Sequence, residues 1–200
     1  MIGKWNKSVI LTYIGMSISI LGIILVLNNI DIKYTFICFM LAGICDLFDG
    51  TIARRCKRTK EEKMFGIELD SLVDVISFIT LPLVILGTIV KSLYIIPIII
   101  IYSIFGIARL AHFNITTPNN NKAVKYYEGL PVTYAALIFP ITYLLSYVIK
   151  ENIFIIIYSI VTLLVSILFI IKIKVPKPKL KASILLLLLS IIITIIYIFV

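Results

Sequence analysis

The sequence predicts an all-α, polytopic transmembrane helical bundle, and three observations carry that prediction. Apolar residues make up 61% of the chain and charged residues 14%, against roughly 25% charged in soluble proteins. The apolar residues fall into seven runs close to the length of a bilayer-spanning helix. The basic residues fall almost entirely on alternate connections between those runs. Inside lipid, every backbone polar group needs a partner within the chain, so runs of this kind must be helices.

Taken in order, the runs cover about residues 8–28, 33–56, 65–90, 93–113, 131–149, 152–172 and 182–200. The first begins at Ser8, and no small-residue cleavage site precedes a second apolar stretch, so it reads as a retained span. The second and third are joined by a basic loop and carry acids near that loop. The fourth ends near Arg109, and the fifth opens after a turn at Glu128-Gly129-Leu130-Pro131. The sixth is followed by the basic, proline-containing stretch 171–181, read as a solvated loop, or as a contact for anionic headgroups. The last run is either a seventh span or a helix lying on the membrane surface. No linker or internal repeat divides residues 1–200, which are expected to form one domain.

Orientation follows from the basic residues. With the N-terminus in the cytoplasm, sixteen of the nineteen Lys and Arg fall on the inner side. They are Lys4, Lys7, Arg54, Arg55, Lys57, Arg58, Lys60, Lys63, Arg109, Lys122, Lys125, Lys172, Lys174, Lys177, Lys179 and Lys181. Only Lys33, Lys91 and Lys150 fall outside. The net charge of +9 would suggest a nucleic-acid partner in a soluble protein; here it sets topology, and no nucleic-acid partner is expected. Cys38, Cys45 and Cys56 have no paired spacing and read as packing residues.

The chain has ten acids, and four of them, Asp46, Asp49, Asp70 and Asp74, lie within or at the ends of apolar runs. A carboxylate there is costly and points to function. At about 100° per residue, Asp46 and Asp49 share one helix face, as do Asp70 and Asp74. Antiparallel neighbours bring both pairs to the inner end. Four such charges need a cation, and oxygen ligands suit Mg²⁺ or Mn²⁺, with Ca²⁺ also compatible. Salt bridges to Arg54, Arg55 and Arg58 are the alternative, but two ordered pairs exceed what helix ends require. Gly43, Gly50, Ala53 and Gly66 accompany the acids and allow either close helix approach or a base or sugar against backbone.

The run 46–74, DLFDGTIARRCKRTKEEKMFGIELDSLVD, resembles the signature of the CDP-alcohol phosphatidyltransferase family, D-x-x-D-G-x-x-A-R followed by G-x-x-x-D-x-x-x-D. Asp46, Asp49, Gly50, Ala53, Arg54, Gly66, Asp70 and Asp74 meet its fixed positions. The resemblance implies a six-span core, with the seventh segment an addition, and a homodimer. It implies two metal ions, Asp46 and Asp70 touching both, Asp49 completing one site and Asp74 the other. It implies CDP-lipid contacts at Gly50, Ala53, Arg54 and Gly66 and at Thr59 or Lys60, with Asp74 as general base. Residues 107–114, IARLAHFN, and 126–136, YYEGLPVTYAA, are similar to the phosphatidylserine synthase subgroup, with His112 where that pattern has arginine. On that resemblance Arg109, Asn114 and Glu128 are the expected acceptor-binding residues.

The expected reaction is metal-dependent phosphatidyl transfer from CDP-diacylglycerol to the hydroxyl of L-serine at the cytoplasmic face of the cell membrane. Glycerol 3-phosphate or an inositol phosphate is the alternative acceptor, since the basic loop 54–63 can serve a phosphate. An ion or proton transporter is the competing class, but it would place its acids near mid-membrane, and it has no need of the G-x-x-A-R element.

Overall fold

The computed structural model describes residues 3–116, 126–178 and 180–199. Lys122, Lys125 and Lys179, three of the basic residues assigned to the inner side, lie outside the described residues, as does Val200 of the last predicted span.

The chain is a helical bundle. Helices α1 (Ile10–Leu27) and α2 (Ile32–Arg55) are joined by a tight turn. Asn29 takes a positive φ of 56° there, and Asp31 caps α2 by accepting from the Lys33 N–H at 3.0 Å. The two helices approach closely because glycines of α1 face the cysteines of α2. A Cβ at Gly15 or Gly22 would stand 3.1 Å from the Cβ of Cys45 or Cys38. Cys38 and Cys45 thus occupy packing positions, as expected of them.

Helix α3 (Lys60–Asp74) begins five residues before the predicted span. The reason is a reciprocal cap. Thr59 Oγ1 accepts from the Glu62 N–H, and the Glu62 carboxylate accepts from the Thr59 N–H, so the polar first turns join the apolar helix. After Asp74 the helix widens into a π-turn, Val75–Thr80, then resumes as α4 (Leu81–Ile89). Pro82 has no N–H to give the preceding turn. The Tyr102 hydroxyl fills part of that deficit by donating to the Phe78 carbonyl at 2.9 Å. Ser77, on the π-turn, pairs with Ser19 of α1 at 2.7 Å.

A 3₁₀ turn leads into α5 (Ile96–Thr116), and a short strand β1 (Tyr126–Glu128) follows. The 3₁₀ turn Val132–Tyr134, helix α6 (Ala135–Tyr143) and a second 3₁₀ turn, Leu144–Tyr147, form one composite segment. Helix α7 (Glu151–Ile170), strand β2 (Lys174–Pro176) and helix α8 (Leu180–Phe199) complete the chain. Among the described residues, six helical segments are long and apolar enough to cross a bilayer, which marks an integral, multi-pass membrane protein. They differ from the six spans expected for the core. The C-terminal helix is among them, and the segment predicted at 131–149 is the shorter Val132–Tyr147. Pro140 lies inside α6 and its flanking turns are 3₁₀, so the apolar run is longer than its regular helix.

The core is aromatic, with Phe36, Phe39, Phe78, Tyr102, Phe139, Tyr158 and Tyr197 fully enclosed. Helix α8 docks on α2 and α6. Its Tyr197 stacks on Phe36 at 5.8 Å and donates to the Pro140 carbonyl at 2.7 Å. The stretch 171–181, expected as a solvated loop, instead contributes β2, which pairs antiparallel with β1. Gly129 makes this ribbon fit. It adopts φ +75°, and a Cβ there would lie 2.4 Å from the Phe169 carbonyl oxygen. Its N–H donates to Ile173, and the next N–H, of Leu130, donates to Leu168. The ribbon is thereby tied to the end of α7.

Candidate active site

The last turns of α2 carry Asp46 and Asp49, and the end of α3 carries Asp70 and Asp74. The two pairs converge as the helix-face argument requires. One carboxylate oxygen each from Asp46, Asp49 and Asp70 lies within 4.8 Å of the others. Asp74 stands beside this trio and lines the same cavity. Asp49 and Asp74 are buried. Among the described residues no Lys or Arg lies within 4.0 Å of any of the four, so the salt-bridge alternative with Arg54, Arg55 and Arg58 is not what the structure contains.

Two hydroxyls hold the carboxylates of α2. Thr12 of α1 donates to Asp49 Oδ2 at 2.9 Å, and Thr133 donates to Asp46 Oδ2 at 2.9 Å. Neither threonine was expected from the sequence. They lie 37 and 87 residues from their partners, so no local pattern announces them.

The aspartates open on a cavity of about 310 Å³. Its wall includes Gly50, Arg54, Ser71, Arg109, Tyr127 and Tyr134, with Lys177 and Pro178 from the segment after β2 and Ser183, Leu186, Leu187 and Ser190 from α8. Of the residues expected to contact the CDP-lipid, Gly50 and Arg54 line the cavity, whereas Ala53, Thr59, Lys60 and Gly66 lie outside its lining. Thr59 is engaged in the α3 cap. Gly43 also lines the cavity, but its small size serves helix approach: a Cβ there would be 2.8 Å from that of Ala136.

Of the residues expected at the acceptor site, Arg109 lines the cavity. It is buried, its guanidinium lies 5.2 Å over the Phe113 ring, and its Nε has no hydrogen-bond partner. Such an orphaned buried donor calls for a ligand acceptor. Asn114 lies outside the lining but holds Ser71, which is in it, through paired hydrogen bonds of 2.8 and 3.1 Å. Glu128 also lies outside, and its carboxylate faces His112 Nε2 at 3.3 Å. Burial pushes the Tyr127 phenol up from its ordinary range, with the charge of Asp46 adding to the effect. Tyr127 therefore stays neutral and can donate.

Fold and site together define a helical membrane protein with one cavity lined by four aspartates and by Arg54, Arg109 and Lys177. The sequence profile of the CDP-alcohol phosphatidyltransferases matches residues 5–199, and the chain belongs to that family. It is similar to the CDP-diacylglycerol–serine O-phosphatidyltransferase of Saccharomyces cerevisiae, 37% identical over 113 residues, which are 52% of this chain and 40% of that protein. The Helicobacter pylori (strain 26695) protein of the same name is 31% identical over 139 residues, 63% of this chain and 53% of that one. The archaetidylserine synthase of Methanothermobacter thermautotrophicus is 32% identical over 130 residues, 63% and 54% respectively. The chain spans about half the length of the curated relatives it matches.

Proposed function

We propose that the chain transfers a phosphatidyl group from CDP-diacylglycerol to the hydroxyl of L-serine, giving phosphatidylserine and CMP. One observation carries this reading. Four aspartates from two helices meet at a cavity that also holds Arg54 and Arg109. The names of the relatives support serine as the acceptor.

The donor set suits a hard divalent cation. Three carboxylates with oxygens within 4.8 Å of one another, and no Lys or Arg within 4.0 Å among the described residues, make a site for Mg²⁺ or Mn²⁺, singly or as a pair. Asp46, Asp49 and Asp70 would hold it, with Asp74 completing the set. Bound there, the cation would supply positive charge against the pyrophosphate and the departing CMP.

The chain's own residues do the rest. Arg54, at the cavity wall and steadied by a 2.9 Å bond to Thr51, offers a charged fork to phosphate. Arg109, with its free Nε, holds an oxyanion at the inner wall. The serine hydroxyl oxygen bonds to the β-phosphorus of CDP-diacylglycerol, the bond from that phosphorus to the CMP oxygen breaks, and the hydroxyl proton passes to Asp74. Asp74 suits this role because it stands outside the tight trio. Thr12 and Thr133 keep the Asp49 and Asp46 carboxylates oriented.

We place the protein in the cytoplasmic membrane as one domain and as a homodimer, with its N-terminus and cavity facing the cytoplasm. The Lys4–Glu61 ion pair of 2.7 Å supports part of this, since it puts the N-terminal segment and the start of α3 on one side. Product analysis tests the function. Purified protein given CDP-diacylglycerol, Mn²⁺ and a panel of L-serine, glycerol 3-phosphate and inositol phosphate should release CMP and form phosphatidylserine only with serine. Transfer to another acceptor would overturn the assignment of serine, and no CMP with any acceptor would overturn the reaction.

A further inference from the structure

The segment following β2 brings a second cation to the cavity from outside the 46–74 motif. Lys177 and Pro178 line the cavity rim. The backbone there is fixed, because Pro176, the residue before Lys177, pairs with Tyr126 in the ribbon. The side chain is placed as well, since Lys177 Nζ lies 5.6 Å over the Tyr127 ring. Tyr127 meets Phe113 edge-on at 5.7 Å, and Phe113 carries Arg109 at 5.2 Å on its ring. Cation, ring, ring and cation thus form a ladder from the aspartates to the rim.

Lys177 has no carboxylate within 4.0 Å among the described residues. It is solvent-exposed, yet partial burial of its ammonium, and secondarily the charge of Arg54, push its pKa below the ordinary lysine value. Three cations, Arg54, Arg109 and Lys177, line one cavity, and none of them has a carboxylate within 4.0 Å among the described residues, which leaves a place that an anion would fill.

We propose that Lys177 is a positioning residue that binds the oxyanion end of a substrate at the cavity rim. The chemistry is shared by two sources, the carboxylate of an amino-acid acceptor and a phosphate of the nucleotide-lipid. This inference rests on the phosphatidyl-transfer reading for the identity of those anions. It assigns a substrate contact to a segment that the sequence offers as a solvated basic loop or as a contact for anionic headgroups.

The test compares Lys177→Gln, which keeps most of the stem over Tyr127, with Lys177→Ala and the charge-keeping Lys177→Arg. KM for serine and for CDP-diacylglycerol are measured with kcat, alongside equilibrium binding of serine and of CDP without turnover. The Gln and Ala variants should raise KM and Kd for one of the two by about 5-fold, the effect of one rim ion pair, with a smaller change in kcat. The Arg variant should stay within about twofold of the parent. A change confined to serine identifies the carboxylate, and one confined to the CDP compounds identifies phosphate. Unchanged affinities for both, or a fall in kcat alone, would overturn the proposal. If the parent protein releases no CMP, the transfer reading fails by itself. Binding of CDP and serine still decides Lys177, because equal affinity in parent and Gln variant, or no binding by the parent, overturns it.

Discussion

At the residue scale the four aspartates share an address but not a task. Asp49 sits in the close trio and accepts from Thr12, whereas Asp74 stands outside it. Asp74→Asn should therefore leave affinity for CDP-diacylglycerol near normal while kcat falls by roughly 10²–10⁴, the contribution of a positioned proton acceptor. Asp49→Asn should weaken metal and nucleotide-lipid binding, with activity partly restored at high metal. Single-turnover rates and nucleotide-lipid binding across a Mn²⁺ titration separate the two, and matching defects rescued alike by metal would reduce Asp74 to a ligand. The aspartates were legible in the sequence because a carboxylate inside an apolar run has no ordinary explanation. Thr12 and Thr133 were not, because a hydroxyl in such a helix usually returns to the carbonyl four residues back. Ser17, Thr88, Ser103 and Thr162 all do so here. Only the fold reveals which hydroxyls reach across instead.

At the element scale the β1–β2 ribbon is the feature that hydropathy could not give. Its strands are three residues each and 48 positions apart, from Tyr126 to Lys174, and neither alternates clearly enough to read as a strand. Yet the turn at Glu128-Gly129-Leu130-Pro131 was visible, and the structure supplies its reason. Gly129 combines φ +75° with a Phe169 carbonyl oxygen 2.4 Å from where a Cβ would be. Gly129→Ala should lower stability by about 1–3 kcal/mol through strain and clash, measured as a drop in thermal midpoint in detergent. Because the same ribbon places Tyr127 and Lys177 at the cavity, substrate affinity should fall with it. A variant with parental midpoint and parental KM would show that the backbone can shift freely there. The short segment Val132–Tyr147 has a comparable origin. Its apolar composition looked like a span, while Pro140 and the 3₁₀ turns limit how far a regular helix extends.

For the whole molecule, the basic residues carry an expectation about orientation that labelling can test. The expected topology puts loop 54–63 in the cytoplasm, so a cysteine introduced at Lys60 should resist impermeant reagents applied outside intact cells; labelling from outside would invert the bundle. The acidic centre has a further consequence, in thermodynamic linkage. Bringing four carboxylates together with no Lys or Arg within 4.0 Å among the described residues raises the free energy of the folded chain by mutual repulsion. A cation that binds only the folded form then stabilises it by mass action, by about 2.7 kcal/mol at a hundredfold excess over Kd. The melting temperature in detergent should climb with Mn²⁺ and drop after EDTA, and turnover should vanish with the metal. Asp49→Asn should melt higher than the parent in EDTA yet gain less from Mn²⁺, so the two titration curves should cross. Curves that stay parallel would mean that the carboxylates are already balanced within the fold. A crossing would mean that the apoprotein keeps its reactive centre at the expense of its own stability, and that the supply of divalent cation governs how long the folded chain persists in the membrane.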